Sequence, residues 1–338
     1  MRIFLIGPDF FNYTQSLENA FQQMGHQTVT QTYRNFWDDC SYFTKKTERW
    51  GITSRREQYY RKWNEQVINV VTEFNPERII VLNGEYLSQE TMDKLKGKNR
   101  QTVLWLIDSI LRFPHIEKVI HYYDKVFSFD PRDEKYLMDK YKIGCPYLPV
   151  GYDPEIYKPG SQERDIDICF VGNATANRIA VLRRVAEYAC GKNIKFTVVG
   201  KYWSDRYFWK KRRFARKYEP LGLFVQNKAM NPIDVAKLYQ RTKICLNIHI
   251  SDHDGINPRL FEIMGTKSME LVDYKPKLME LIDIDNEVAV YQDADDLINK
   301  IEYYLNHSEE RENIAAKGYK KALEQFTIRQ AAAVILNS

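Results

Sequence analysis

Residues 243–273, KICLNIHISDHDGINPRLFEIMGTKSMELVD, gather most of the side chains that could do chemistry into one short span. Asn257-Pro258 reads as a helix N-cap followed by proline at the first helical position, with Arg259 in the first turn and Glu262 about one turn on. An arginine fork pairs with phosphate oxygens, and a carboxylate accepts from ribose hydroxyls. First-turn amides add a positive field that suits a phosphate. This segment could therefore hold both halves of a nucleotide diphosphate. The plainer reading is a capped helix whose Arg259 and Glu262 are solvated. Residues 243–249 carry a buried-strand pattern in which Asn247 and His249 share one face, as ligand contacts or as a satisfied buried pair.

These side chains need a scaffold, and the chain can supply one. At 338 residues it is long enough for two domains of ordinary size. Its 44% hydrophobic and 28% charged residues are those of a globular protein, and no apolar run approaches the length of a membrane span. The five cysteines, Cys40, Cys145, Cys169, Cys190 and Cys245, are scattered and form no CxxC pair. That argues against a disulfide framework or a zinc site and for a reducing, cytoplasmic setting. The first residues, MRIFLIG, enter a strand directly and are read as no signal peptide. A net charge of +5 allows an acidic ligand or an anionic surface as partner and requires neither.

Along the chain, short apolar strands alternate with helical patterns. Residues 2–6, 78–82, 102–107 and 125–129 read as strands, and 54–74 as a long aromatic-rich helix ended by Asn75-Pro76. The strands run into Asp9, Asn83-Gly84-Glu85, Asp108-Ser109 and Asp130-Pro131. Loops at the carboxyl ends of parallel strands face one side, so Asp9, Glu85, Asp108 and His115 could line one cleft, whereas Asp130 reads as a helix cap. No GxGxxG occurs, so no dinucleotide cofactor is indicated. After the proline- and glycine-rich stretch 149–160 the alternation restarts, with strands at 165–172 and 195–200. The expected division is 1–155, 156–325 and a terminal helix, 326–338, packing back on the first part.

The words LNIHISDHDGINPRLFEIMGTKSMELVDYKPKLMELI are similar to the C-terminal region of the CgeB-like (spore maturation protein) glycosyltransferases, with Asn257, Arg259, Phe261, Glu262 and Asp273 on the shared core. FNPERIIVLNGEYLS, TVLWLIDS, VFSFDPRDEKYLMDKY and YLPVGYDPEIYKP resemble their N-terminal half. Asp254 and Glu262, with seven residues between them, resemble the acidic pair of retaining GT4-like enzymes, with Asp in place of the first Glu. Where many relatives have Ala-Cys-Gly after the helix, this chain has Gly265-Thr266-Lys267.

The resemblance implies an α/β, GT-B fold: two Rossmann-like domains facing across a cleft, acceptor side first and donor side second. It implies a glycosyltransferase moving a sugar from a UDP-linked donor to a polysaccharide, protein or lipid-linked acceptor, retaining and without a metal. The nucleotide-sugar is a co-substrate, and no cofactor is implied. Asn173, Arg178 and Lys201 are placed like the groups that hold the diphosphate. Trp203 and Tyr202, beside Lys201, could instead frame a base or a sugar. Asp254 would orient the transferred sugar, Glu262 would hold the ribose, and the departing phosphate would take the acceptor proton. An inverting reaction would instead need a base from Asp9, Asp108 or His115.

Lys210-Lys211-Arg212-Arg213, extended by Arg216 and Lys217 and interleaved with Tyr207, Phe208, Trp209 and Phe214, is the sharpest charge run. It reads as a solvated helix face or as a peripheral contact with the inner membrane surface. Nucleic acid is not indicated, since no recognition fold accompanies it. The rival readings are a sugar-nucleotide epimerase on the same fold and a non-catalytic spore or surface-layer binding protein.

Overall fold

The structure is a computed structural model, and it describes residues 1–9, 12–34, 53–97, 99–201, 203 and 208–338. The chain forms two compact units, Met1–Pro149 with Ile328–Ser338, and Val150–Thr327.

The first unit is built on five parallel strands, β1 (Arg2–Pro8), β2 (Gln27–Tyr33), β3 (Arg78–Leu82), β4 (Gln101–Leu106) and β5 (Lys125–Ser128), in the order β2-β1-β3-β4-β5. Ile3, Phe4, Leu5 and Ile6 are all fully buried, so both faces of β1 are covered, and an unbroken apolar run is what such a strand requires. The helix Ser54–Phe74 covers one face through Trp63, Val67 and Val71, spaced four apart. It stops at Asn75, which turns left-handed (φ 47°) ahead of Pro76. Asp130 caps the helix Pro131–Tyr141 by accepting from the Arg132 amide at 3.1 Å. The last helix, Ile328–Leu336, is tied to this sheet: Arg78 donates to the carbonyls of Ile335 (2.9 Å) and Leu336 (2.6 Å).

The second unit has six parallel strands, β6 (Ile166–Val171), β7 (Phe196–Gly200), β8 (Val225–Asn227), β9 (Thr242–Asn247), β10 (Met269–Asp273) and β11 (Ala289–Tyr291), in the order β8-β7-β6-β9-β10-β11. This is the Rossmann order, and the direction of winding reverses between β6 and β9. A crevice opens where successive crossovers leave for opposite faces of a sheet. In the first unit the same reversal falls between β1 and β3. Among the described residues no helix is long and apolar enough to cross a membrane.

Candidate functional site

Beside the reversal in the second unit, the carboxyl ends of β6 and β7 approach very closely. A Cβ on Gly200 would lie 1.9 Å from the Gly172 carbonyl oxygen, so neither loop can move toward the other. Gly172 also accepts from the indole nitrogen of Trp203 at 2.8 Å. That fully buried ring stands edge-on to Phe170, so Trp203 is a core residue and frames no base or sugar. Tyr202 and Tyr207, and the side chains of residues 208–211, lie outside the described residues.

Four polar side chains meet at the end of β9. Asn247, fully buried, donates to Glu270 Oε1 at 2.8 Å and to Asn257 Oδ1 at 3.1 Å. Its own oxygen accepts from Asn257 Nδ2 at 2.8 Å and from Arg259 Nη1 at 3.3 Å. Both hydrogens and both lone pairs of the amide are thereby used. Arg259 extends from there toward β6, its guanidinium 5.7 Å from the Phe170 ring centre. A Cβ on Gly172 would lie 3.2 Å from its Nη2. The arginine thus bridges the two strand ends that border the crevice, half-buried, and Asn247 is its one side-chain hydrogen-bond partner among the described residues.

The expected helix cap needs correction. The helix runs Arg259–Gly265, Pro258 takes the cap position, and no side chain caps it. Asn257 is committed to Asn247 instead. With fewer than two turns of helix behind it, the positive field at this mouth comes from Arg259 rather than from aligned peptides. Glu262 is half-buried in the same helix. Lys267 follows in a left-handed turn (φ 56°), with Thr266 bonded back to the Ile263 carbonyl at 2.8 Å.

Arg178 is likewise not the open cation expected from the sequence. It is buried, donating through Nε (3.0 Å) and Nη2 (2.7 Å) to the Ile248 carbonyl and through Nη1 (3.0 Å) to that of Asn173. Burial, and next the charge of Arg259, lower its pKa to about 9. It braces the loops after β6 and β9. Lys201 is exposed, and its amide donates to Asn173 Oδ1 at 3.2 Å. His249 is buried with Nδ1 2.7 Å from Asp273 Oδ1, and its Nε2 has no partner among the described residues. Burial lowers its pKa against the pull of Asp273, which keeps it neutral. Asp254 is a half-exposed loop residue 3.6 Å from Lys275 Nζ.

In the first unit, Asp9 and Asp108 are each engaged by an arginine at 2.7 Å, Arg34 and Arg112 respectively. His115 lies parallel to Tyr86 at 6.0 Å, its pKa lowered by burial. The loop after β3 is the strained element: Asn83, Gly84 and Tyr86 all have positive φ (60°, 67° and 68°). For a tyrosine that conformation is a costly outlier of the kind that collects at functional sites. It carries Glu85, whose carboxyl is raised to about 7 by burial, with a hydrogen bond from Tyr86 opposing and the charge of Asp108 adding.

Two residues escaped notice or emphasis in the sequence. Glu270 was signalled only by a charged residue inside the apolar run of β10, between Met269 and Leu271. Glu85 was one of four cleft candidates, and nothing local set it apart.

Residues 178–337 match the family model described as glycosyl transferase-like. The spore protein CgeB of Bacillus subtilis (strain 168) is 22% identical over 270 residues, which cover 75% of this chain and 80% of that protein. Among solved structures, a sucrose-phosphate synthase from Thermosynechococcus elongatus superposes with a TM-score of 0.69 at 14% identity, covering 100% of this chain and 98% of the other. Anabaena Alr3699/HepE in complex with UDP-glucose gives 0.63 at 11% identity, with 100% and 98% covered. Two parallel-sheet units, the matched family and these neighbours define a glycosyltransferase of the GT-B fold. Within that class the chain is similar to the spore protein CgeB over three quarters of its length.

Proposed function

We propose that this enzyme transfers a sugar from a UDP-linked donor to a hydroxyl of a polysaccharide, protein or lipid-linked acceptor, with retention of configuration and without a metal ion. The observation that carries the reading is Arg259, held at the crevice between β6 and β9 by Asn247, its one side-chain hydrogen-bond partner among the described residues. Arg259 pairs with the diphosphate, Lys201 adds charge from the end of β7, and Glu262 accepts from the ribose. Asp254 orients the transferred sugar through its hydroxyls. The bond from the anomeric carbon to phosphate breaks as the bond to the acceptor oxygen forms. The acceptor proton passes to the departing phosphate, whose charge Arg259 offsets. UDP and UDP-glucose bound to the neighbour Alr3699/HepE support a uridine nucleotide on this fold.

Calorimetric titration of UDP tests this. Arg259→Ala and Glu262→Ala are expected to weaken binding at least tenfold while circular dichroism and melting stay native, and unchanged affinity in both would overturn the assignment. A donor sugar converted with no acceptor present would favour an epimerase. No UDP release across donors and acceptors would favour a binding protein.

A further inference from the structure

Glu270 is almost fully buried, on a strand that the helix Arg259–Gly265 covers, and one of its carboxyl oxygens has no partner among the described residues. The other, Oε1, accepts from Asn247 Nδ2 at 2.8 Å. The consequence lies in what this does to Asn247. An amide side chain can turn over, exchanging its oxygen and nitrogen at almost no steric cost. The Asn247–Asn257 pair does not choose between the two orientations, because two amides that bond reciprocally do so equally well when both are turned. The choice is made by the remaining neighbours, an acceptor on one side and a cationic donor on the other. Glu270 draws the NH2 group to itself, which leaves the oxygen facing Arg259.

We propose that Glu270 is a positioning residue for Arg259: through Asn247 it fixes which end of a buried amide meets the guanidinium, and so where the cation at the crevice stands. The inference rests on Arg259 being the diphosphate contact, and it names how that contact is set. Glu270 meets Asn247 as an acceptor through Oε1. Burial raises its pKa well above the usual carboxyl range, with Asp273 and Glu262 adding and Asn247 and Arg259 opposing. Cys245 of β9 also faces it. A Glu270 that keeps its proton leaves undiminished the field that Arg259 offers an anion. A carboxylate placed to pair with Arg259 directly would fill the site with its own counter-ion; here the arginine is held by a neutral oxygen.

The test is a double-mutant cycle read by UDP titration. Glu270→Gln supplies a neutral acceptor to Asn247 and is expected to keep UDP affinity within threefold of the parent. Glu270→Leu is expected to weaken UDP at least tenfold, and to have no further effect when Arg259→Ala is already present. Loss of affinity in Glu270→Gln equal to that in Glu270→Leu would overturn the proposal, and so would a Glu270→Leu effect of the same size with and without Arg259. A crystal structure of Glu270→Leu without ligand separates this inference from the donor assignment. Asn247 Oδ1 still within hydrogen-bond reach of Arg259 sinks the positioning role even if UDP binds as proposed. A displaced guanidinium supports it even if UDP does not bind. If Glu270→Leu does not fold, a ligand-free structure of Glu270→Gln decides: the Asn247–Arg259 contact is expected to persist, and its loss overturns the proposal.

Discussion

Replacing Glu85 by Gln should stabilise the first unit at neutral and alkaline pH, and the size of the effect follows from burial. In the folded chain this carboxyl is raised from 4.5 to about 7. The folded state therefore keeps its proton where the unfolded state has lost it, so stability is present at low pH and is lost as pH rises from 4.5 through 7. A shift of that size at about 1.4 kcal/mol per pH unit costs the folded state about 3 kcal/mol above pH 7. Glutamine occupies the same volume, keeps an oxygen for the Tyr86 hydroxyl and carries no charge, so it removes the cost. For a unit of this size the gain is roughly 6–12 °C in melting temperature. Urea denaturation of parent and Glu85→Gln, followed between pH 4 and 9 by tyrosine and tryptophan fluorescence, should show curves that coincide near pH 4, separate through pH 7 and then run parallel. A gap that does not change with pH, or one that is widest in acid, would refute the reasoning.

Arg178→Leu removes the donors from the buried Ile248 carbonyl and one from the part-buried Asn173 carbonyl, and should cost about 2 kcal/mol in chemical denaturation, with UDP affinity at the folded site changed far less than by Arg259→Ala. Gly200→Ala places a Cβ against the Gly172 carbonyl and should cost at least roughly 2 kcal/mol, or prevent folding, whereas Ala at the exposed, left-handed Gly25 meets no neighbour and should cost only the backbone strain of that turn.

The strands that were legible are continuous apolar runs, a pattern that survives without knowledge of neighbours, whereas β2, buried only at Tyr33, and β8 carry no such run. Residues 78–82 are an example, matching β3 residue for residue. The stop at Asn75-Pro76 and the cap at Asp130 were legible because both are local backbone chemistry. Asn257 and Arg178 were misread for the opposite reason. Each has the residue type suited to a local or ligand role, and each is engaged by a partner on another element, at or just past the end of β9: Asn257 by Asn247, and Arg178 by the carbonyl of Ile248, 70 residues away in the chain. Trp203 beside Lys201 looked like a ligand platform, yet its nitrogen closes the gap to Gly172. The aromatics interleaved with the basic run read as part of a solvated face or a membrane contact, and Phe214 packs against the core of the second unit while Arg212, Arg213, Arg216 and Lys217 stay exposed. Burial of a polar group depends on what lies across the sheet, and one strand's sequence does not carry that.

The most direct measurement is a crystal structure with UDP-glucose bound. The diphosphate is expected within hydrogen-bond distance of the Arg259 guanidinium at the ends of β6 and β9, with a ribose hydroxyl on Glu262. A nucleotide seated elsewhere, with Arg259 still bonded only to Asn247, would contradict the account.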